Sequence, residues 1–202
     1  MVNTSPIRGD FPSLKLGRMV RYSSTIERDL LYFLEFWQAV TWYQEQPMTI
    51  ERIMADGQSR SYTPDYEIHQ GSVKTLAECK PAERLGSTHA QQQRHIGQAW
   101  AKENGYRFVT FTDTELRTGH QLSNLKLLWR YARLRGDHPK RQILRQIRYD
   151  EHSSVNVLCE KLHLPTQAVV PVICHLLFHH WLQMDLDQPF TTGTALQIRA
   201  SS

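Results

Sequence analysis

Three cysteines in 202 residues, Cys79, Cys159 and Cys174, are too few and too widely spaced for a disulfide framework or a paired-cysteine zinc site. Their odd number fits a reduced, cytoplasmic protein. No apolar run approaches the length of a membrane span, and the opening MVNTSPIRGDF lacks the apolar block of a secretory signal. His179-His180 stand alone as neighbours and read as a helix end rather than metal ligands. The chain shows no internal repeat and no low-complexity segment. Neither sign of charge dominates, with 24 Lys and Arg against 20 Asp and Glu. At 40% apolar and 22% charged residues, the sequence describes a globular chain with room for one well-cored domain or two small ones.

What is present is unevenly placed. From Lys126 to Arg148 there are eight basic residues (Lys126, Arg130, Arg133, Arg135, Lys140, Arg141, Arg145 and Arg148) against one acid, Asp137. Such a run can follow a phosphate backbone or simply form a solvated helix face. Lys126, Arg130, Arg133, Lys140, Arg141, Arg145 and Arg148 are the candidate DNA contacts. Residues 1–22 read as an extended lead-in. Ser24 caps a helix running to about Val40, with Ile26, Leu30, Leu31, Phe33, Leu34 and Trp37 on its apolar stripe. Two strand pieces and the turn ADGQSRS follow. Strands are then expected over Ser61–His69 and Val73–Cys79, a helix to Asn104, a buried strand in YRFVTFT, and a helix over Leu122–Arg135. Gly136 and Pro139 suggest a boundary, giving domains 1–136 and 137–202. The second domain reads as three helices followed by two short strands, WLQMDL and ALQIRA, the order of a winged helix-turn-helix.

The chemistry is concentrated in SYTPDYEIHQGSVKTLAECKP, Ser61 to Pro81. Gly71-Ser72 suits a two-residue hairpin loop with Gly first. If the turn closes there, Gln70 faces Val73 and Asp65 falls opposite Glu78. Alternation puts Glu78 and Lys80 on one face and Cys79 on the other. Carboxylates opposed across a ladder repel, so a positive partner is expected. Two such groups can hold Mg²⁺ against a phosphate oxygen, and a lysine can steer water and offset transition-state charge. Mn²⁺ suits oxygen ligands equally. Glu27 lies on the stripe of Leu30, Leu31 and Leu34 and could be a third carboxylate. Equally, Ser24-x-x-Glu27 is a capping box, and the local pattern favours that role.

Asp, then about a dozen residues, then Glu-x-Lys, behind a helix bearing Glu, resembles the PD-(D/E)xK restriction-endonuclease-like superfamily. Within it the chain resembles the TnsA-like endonuclease subunits of heteromeric transposases. The resemblance rests on GDFPSLKLGRMVRYSSTIERDLLYFLEF, on YTPDYEI and LAECKP, and on VVPVICHLLFHHWLQMDLDQPFTTGT. It implies an α/β fold, with an αβββαβ core and a C-terminal all-α, winged-helix domain. It also implies a metal-dependent endonuclease with Glu27, Asp65 and Glu78 as metal ligands and Lys80 positioning water. Such a subunit cuts the 5′ ends of a transposon, while a DDE-type transposase cuts the 3′ ends and an AAA+ ATPase regulates the process.

Gln91, Gln92, Gln93, Arg94 and His95 follow the second catalytic strand, where some nucleases of this fold place a polar residue. A solvated face explains them as well. Trp37, Trp42, Trp100 and Trp129 read as core. The expected recognition helix, TQAVVPVICHLLFHH, offers little beyond Gln167 and its histidines to base edges, so this module is expected mainly to dock protein. Two rival functions share these features: a stand-alone restriction or repair nuclease, and a non-catalytic winged-helix DNA-binding regulator.

Overall fold

Ser24 begins the first long helix as its position predicts. Its backbone is extended, and its hydroxyl accepts the Glu27 N–H at 3.1 Å. In the computed structural model, which describes residues 7–54, 57–136, 139–150 and 153–199, this helix (α1) spans Thr25–Phe36. It buries Leu30, Leu31 and Leu34 completely. The preceding segment, expected only to be extended, is a paired hairpin of β1 (Gly9–Pro12) and β2 (Met19–Tyr22). A buried carboxylate ties the hairpin's turn to α1. Glu35 accepts hydrogen bonds from the Ser13 hydroxyl, the Tyr43 hydroxyl (2.6 Å) and the backbone N–H groups of Leu14 and Lys15. The Lys15 ammonium donates to the carbonyls of Leu34 and Trp37 and so closes the end of the helix.

Next come β3 (Trp42–Glu45), β4 (Ile50–Ile53), β5 (Ser59–Tyr62), β6 (Tyr66–Gln70), β7 (Val73–Lys80), the helix α2 (Thr88–Glu103), β8 (Arg107–Thr112) and the short α3 (Asp113–Arg117). The expected strand Ser61–His69 is in fact two strands in two ladders. Pro64 has no N–H to give a ladder, and the chain breaks there. On one side β5 pairs with β4 as a separate ribbon. On the other, β6 lies between β3 and β7 in a four-stranded sheet of order β3-β6-β7-β8. Ala55 and Asp56 of the expected turn lie outside the described residues.

The β6–β7 register is the one the turn dictates, Gln70 opposite Val73 and Tyr66 opposite Ala77. Gly71 supplies the positive φ (61°) that opens the loop. β7 and β8 run parallel, joined through α2. Ile50, Tyr62, Leu76 and Ile96 form a buried cluster between α2, the ribbon and the sheet. α2 approaches so closely that a Cβ on Gly97 would stand 2.3 Å from the Phe108 ring and 2.8 Å from that of Tyr62. The succession α1, β3, β6, β7, α2, β8 is an αβββαβ core with a ribbon inserted. This mixed α/β arrangement fits a restriction-endonuclease-like fold.

The chain divides into two compact units, Met1–Leu116 and Arg117–Ser202. The boundary therefore lies some way before the expected 136/137, whose Asp137 and His138 are outside the described residues. The reason lies in the next helix, α4 (Gln121–Arg130). Its buried Asn124 donates to the carbonyls of Leu186 (2.9 Å) and Gln188 (2.8 Å) and accepts the Phe190 N–H (3.0 Å), which binds it to the C-terminal loop. The unit continues with α5 (Lys140–Tyr149), α6 (Val155–Leu162) and α7 (Thr166–Phe178), then β9 (Leu182–Gln183) and β10 (Gln197–Ile198). α7 is the centre of this unit, with Val169, Ile173 and Cys174 fully buried. The two expected terminal strands shrink to two pairs, Gln183 with Gln197 and Leu182 with Ile198. No helix among the described residues is long and apolar enough to cross a membrane.

Candidate active site

The chain break at Pro64 leaves Asp65 just past the end of β6, beside the C-terminal half of β7. Its Oδ2 accepts the Cys79 N–H at 2.6 Å, and its own carbonyl accepts the Gln46 N–H at 2.9 Å. Asp65 is therefore held from both sides at the sheet's end. Glu78 is buried, at 5% exposure. One carboxylate oxygen accepts the Tyr62 hydroxyl at 2.6 Å, and the other faces the Lys80 ammonium at 2.9 Å. Alternation along β7 places Leu76, Glu78 and Lys80 toward α2. Ala77 and Cys79 turn toward α1, where Phe111, the register partner of Cys79, meets Trp37. Cys79 is a free, buried thiol on that opposite face.

Glu27 approaches from the α1 side. Its carboxylate accepts both the N–H and the hydroxyl of Ser23, each at 2.8 Å. Ser24 caps the helix, but the return bond of the box goes to the residue before the cap. Glu27 is buried at 8% exposure.

Burial pushes the Asp65 carboxyl up to about 8, and the neighbouring charges of Glu78 and then Glu27 add to the rise. The Cys79 N–H and Lys80 pull the other way without compensating. The same crowd acts on Tyr66, whose hydroxyl is raised by burial, Glu27, Cys79 and Asp65. That hydroxyl is buried and makes no hydrogen bond among the described residues. Asp65, Glu78 and Lys80 thus gather at one sheet end, and Asp65 feels Glu27 from the other side. Among the described residues no group of three or more His, Cys, Asp or Glu side chains is placed so as to hold a metal ion.

Residues 38–113 match the family model described as TnsA-like endonuclease N terminal. This stretch of the first unit is thus similar to the N-terminal domain of TnsA-like endonucleases. No curated protein matches the chain. The match takes in Asp65, Glu78 and Lys80, whereas Glu27 precedes it.

Two residues that hold the candidate acids escape a motif reading. Tyr62, on the inserted ribbon, orients Glu78, and Ser23 holds Glu27. The only signal for Tyr62 is its place two residues before Pro64-Asp65. In the helix after β7, Gln91, Arg94 and His95 are exposed, while Gln92 and Gln93 are half-buried.

The basic residues of the second unit are distributed over two helices and the segment between them. Lys126 and Arg130 lie on α4, with Arg133 just beyond it. Lys140 is turned inward, its ammonium donating to His175 Nε2 at 2.9 Å. His175 Nδ1 faces the Tyr131 carbonyl at 3.1 Å, and burial lowers its proton affinity. These partners assign His175 the neutral Nδ1–H tautomer. Arg141, Arg145 and Arg148 share one exposed face of α5 and, with Leu144 and Tyr149, line a groove of about 520 Å³. The Arg145 guanidinium lies 6.0 Å from the centre of the Tyr149 ring, and Tyr149 is 75% exposed.

Proposed function

We propose that this chain is the metal-dependent DNA endonuclease subunit of a heteromeric transposase, cutting the 5′ ends of a transposon during cut-and-paste transposition. The supporting observation is the gathering of Asp65, Glu78 and Lys80 at one sheet end within a stretch similar to the N-terminal domain of TnsA-like endonucleases.

The donor chemistry supports a divalent cation. The donors are all oxygens, which suit Mg²⁺ or Mn²⁺. A carboxyl raised to about 8 by burial and then by two neighbouring acids marks a site short of positive charge, and the Tyr66 hydroxyl, without a hydrogen bond among the described residues, stands in the same electrostatic neighbourhood. Asp65 and Glu78, with Glu27 from the α1 side, would hold the metal, which supplies Lewis-acid activation of a phosphodiester and of water. Tyr62 fixes the orientation of Glu78. Cys79, through its backbone, fixes Asp65. Lys80, tethered to Glu78, is placed to orient the attacking water and to stabilise charge growing on the phosphate oxygens. The exposed arginines of α5 contribute phosphate contacts.

The partners on this reading are transposon-end duplex DNA, a DDE-type transposase that cuts the 3′ ends, and an AAA+ ATPase regulator. The second unit serves as a winged-helix module that docks protein, because its longest helix, α7, is spent on its own core. The test combines the chain with a DDE-type transposase, Mg²⁺ and a plasmid carrying transposon ends. Double-strand release is expected from the wild type. Nicks at the 3′ ends alone are expected from Asp65→Ala. Full release by Asp65→Ala would overturn the assignment.

A further inference from the structure

A groove of about 1090 Å³ lies between the β1–β2 hairpin and β3, lined by Arg8, Arg21, Tyr22, Ser23, Glu27 and Gln44 among others. It exceeds the roughly 300–1,000 Å³ of small-molecule pockets and is open, so it suits a polymer strand. Glu27 and Ser23 connect it to the candidate active site. Its far wall is braced by a bidentate pair, Arg18 to Glu45, with both hydrogen bonds at 2.7 Å.

Two details make it a built surface. Gly9 stands opposite Tyr22 on the ladder, and a Cβ on Gly9 would stand 2.4 Å from the Tyr22 hydroxyl and 2.6 Å from the ring carbon bearing it. The ring therefore lies against the bare glycine backbone, which leaves its orientation little freedom. Arg8 and Arg21 are exposed beside it. Asp10, the ladder partner of Arg21, is the one exposed acid among the lining residues.

Resting on the nuclease reading above, we propose that this groove holds the DNA strand next to the scissile phosphate, with Tyr22, seated on Gly9, as a stacking surface and Arg8 and Arg21 as phosphate contacts. Aromatic stacking tolerates any base, and guanidinium groups pair with phosphate irrespective of sequence. The groove would thus position the strand without reading it.

The full chain carrying Asp65→Ala, which should bind without cutting, is exposed to ultraviolet light with a duplex substituted with bromodeoxyuridine. Adducts are then mapped by mass spectrometry. An adduct on the peptide bearing Tyr22 is expected. Tyr22→Leu and Gly9→Ala should each weaken binding about 5- to 150-fold, the span that loss of one stacked base gives, and Tyr22→Phe should restore it. Arg8→Glu with Arg21→Glu should lower the slope of log K against log salt by about 1.8. Adducts confined to residues 140–149, with groove variants binding as the parent does, would overturn this inference. The nuclease reading would then still stand wherever Asp65→Ala abolishes cutting. A chain that takes no adduct and binds no duplex would overturn both.

Discussion

At the scale of single residues, the site is an arrangement of acids that neutral donors and one lysine only partly offset. Asp65 carries the strain of Glu78 and Glu27, and Glu78 is shared between Tyr62 and Lys80. Added Mg²⁺ should therefore raise the melting temperature of the wild type, since a ligand that binds only the folded state stabilises it. The shift should vanish in Asp65→Asn, as followed by calorimetry with and without chelator. Tyr62→Phe removes only the donor to Glu78 and keeps the packing. It should lower cutting by about 13-fold, an effect of roughly 1.5 kcal/mol at the lower end of the range for a hydrogen bond to a charged group, with little change in substrate affinity in single-turnover kinetics. The residues of the Asp and Glu-x-Lys pattern were legible because hairpin geometry converts spacing into position. Tyr62 was not, because it reaches Glu78 from a ribbon whose existence depends on the break at Pro64.

At the scale of elements, closeness of packing sets the site's precision. α2 sits on β8 through Gly97, with no room for a methyl group. Gly97→Ala should cost about 1–3 kcal/mol, the usual penalty for overpacking, as read from denaturant melts. Because the Tyr62 ring is one of the groups displaced, cutting should fall further than stability explains. The end of α1 offers a pH test. Burial lowers the Lys15 ammonium to about 8, partly opposed by Glu35. The unfolded chain holds that proton up to its ordinary value near 10.5, so between about 8 and 10.5 the unfolded state binds more protons. Stability should therefore rise with pH across that window, and the rise should disappear in Lys15→Met. The longer helices were legible from caps and periodicity, although α1 stops at Phe36 and α4 at Arg130, short of the expected Val40 and Arg135, and the short α3 was not foreseen. α5 is one of the three helices expected in the second domain, with Ile143 and Ile147 marking its buried side against a charged one. The β1–β2 hairpin was not legible, since its strands are four residues long and its pairing depends on Glu35, distant in sequence, gathering the turn.

At the scale of the whole molecule, the chain assigns different work to its two units. The first holds the acids, and the second carries the arginine face of α5. Reversing Arg141, Arg145 and Arg148 to Glu should lower the salt slope of DNA binding by about 2.7, while leaving the Mg²⁺-induced shift of the first unit's melting intact. Fluorescence anisotropy over a salt series measures the first effect and calorimetry the second. The two-unit organisation was legible in outline, but its boundary was misplaced. Gly136 and Pro139 interrupt helical pattern, yet allegiance is decided by Asn124, whose side chain binds a loop more than sixty residues away. A local punctuation mark carries no information about such a bond.

The separation of the β4–β5 ribbon from the β3-β6-β7-β8 sheet has a practical corollary. The two ladders share no rung, so extra residues or a fluorescent label placed between Ile53 and Ser59 would not shift the frame in which Asp65 meets Cys79. Tyr62, at the ribbon's other end, would carry any bending of that arm directly to Glu78. A reporter there would watch the Glu78 carboxylate from outside, without touching it.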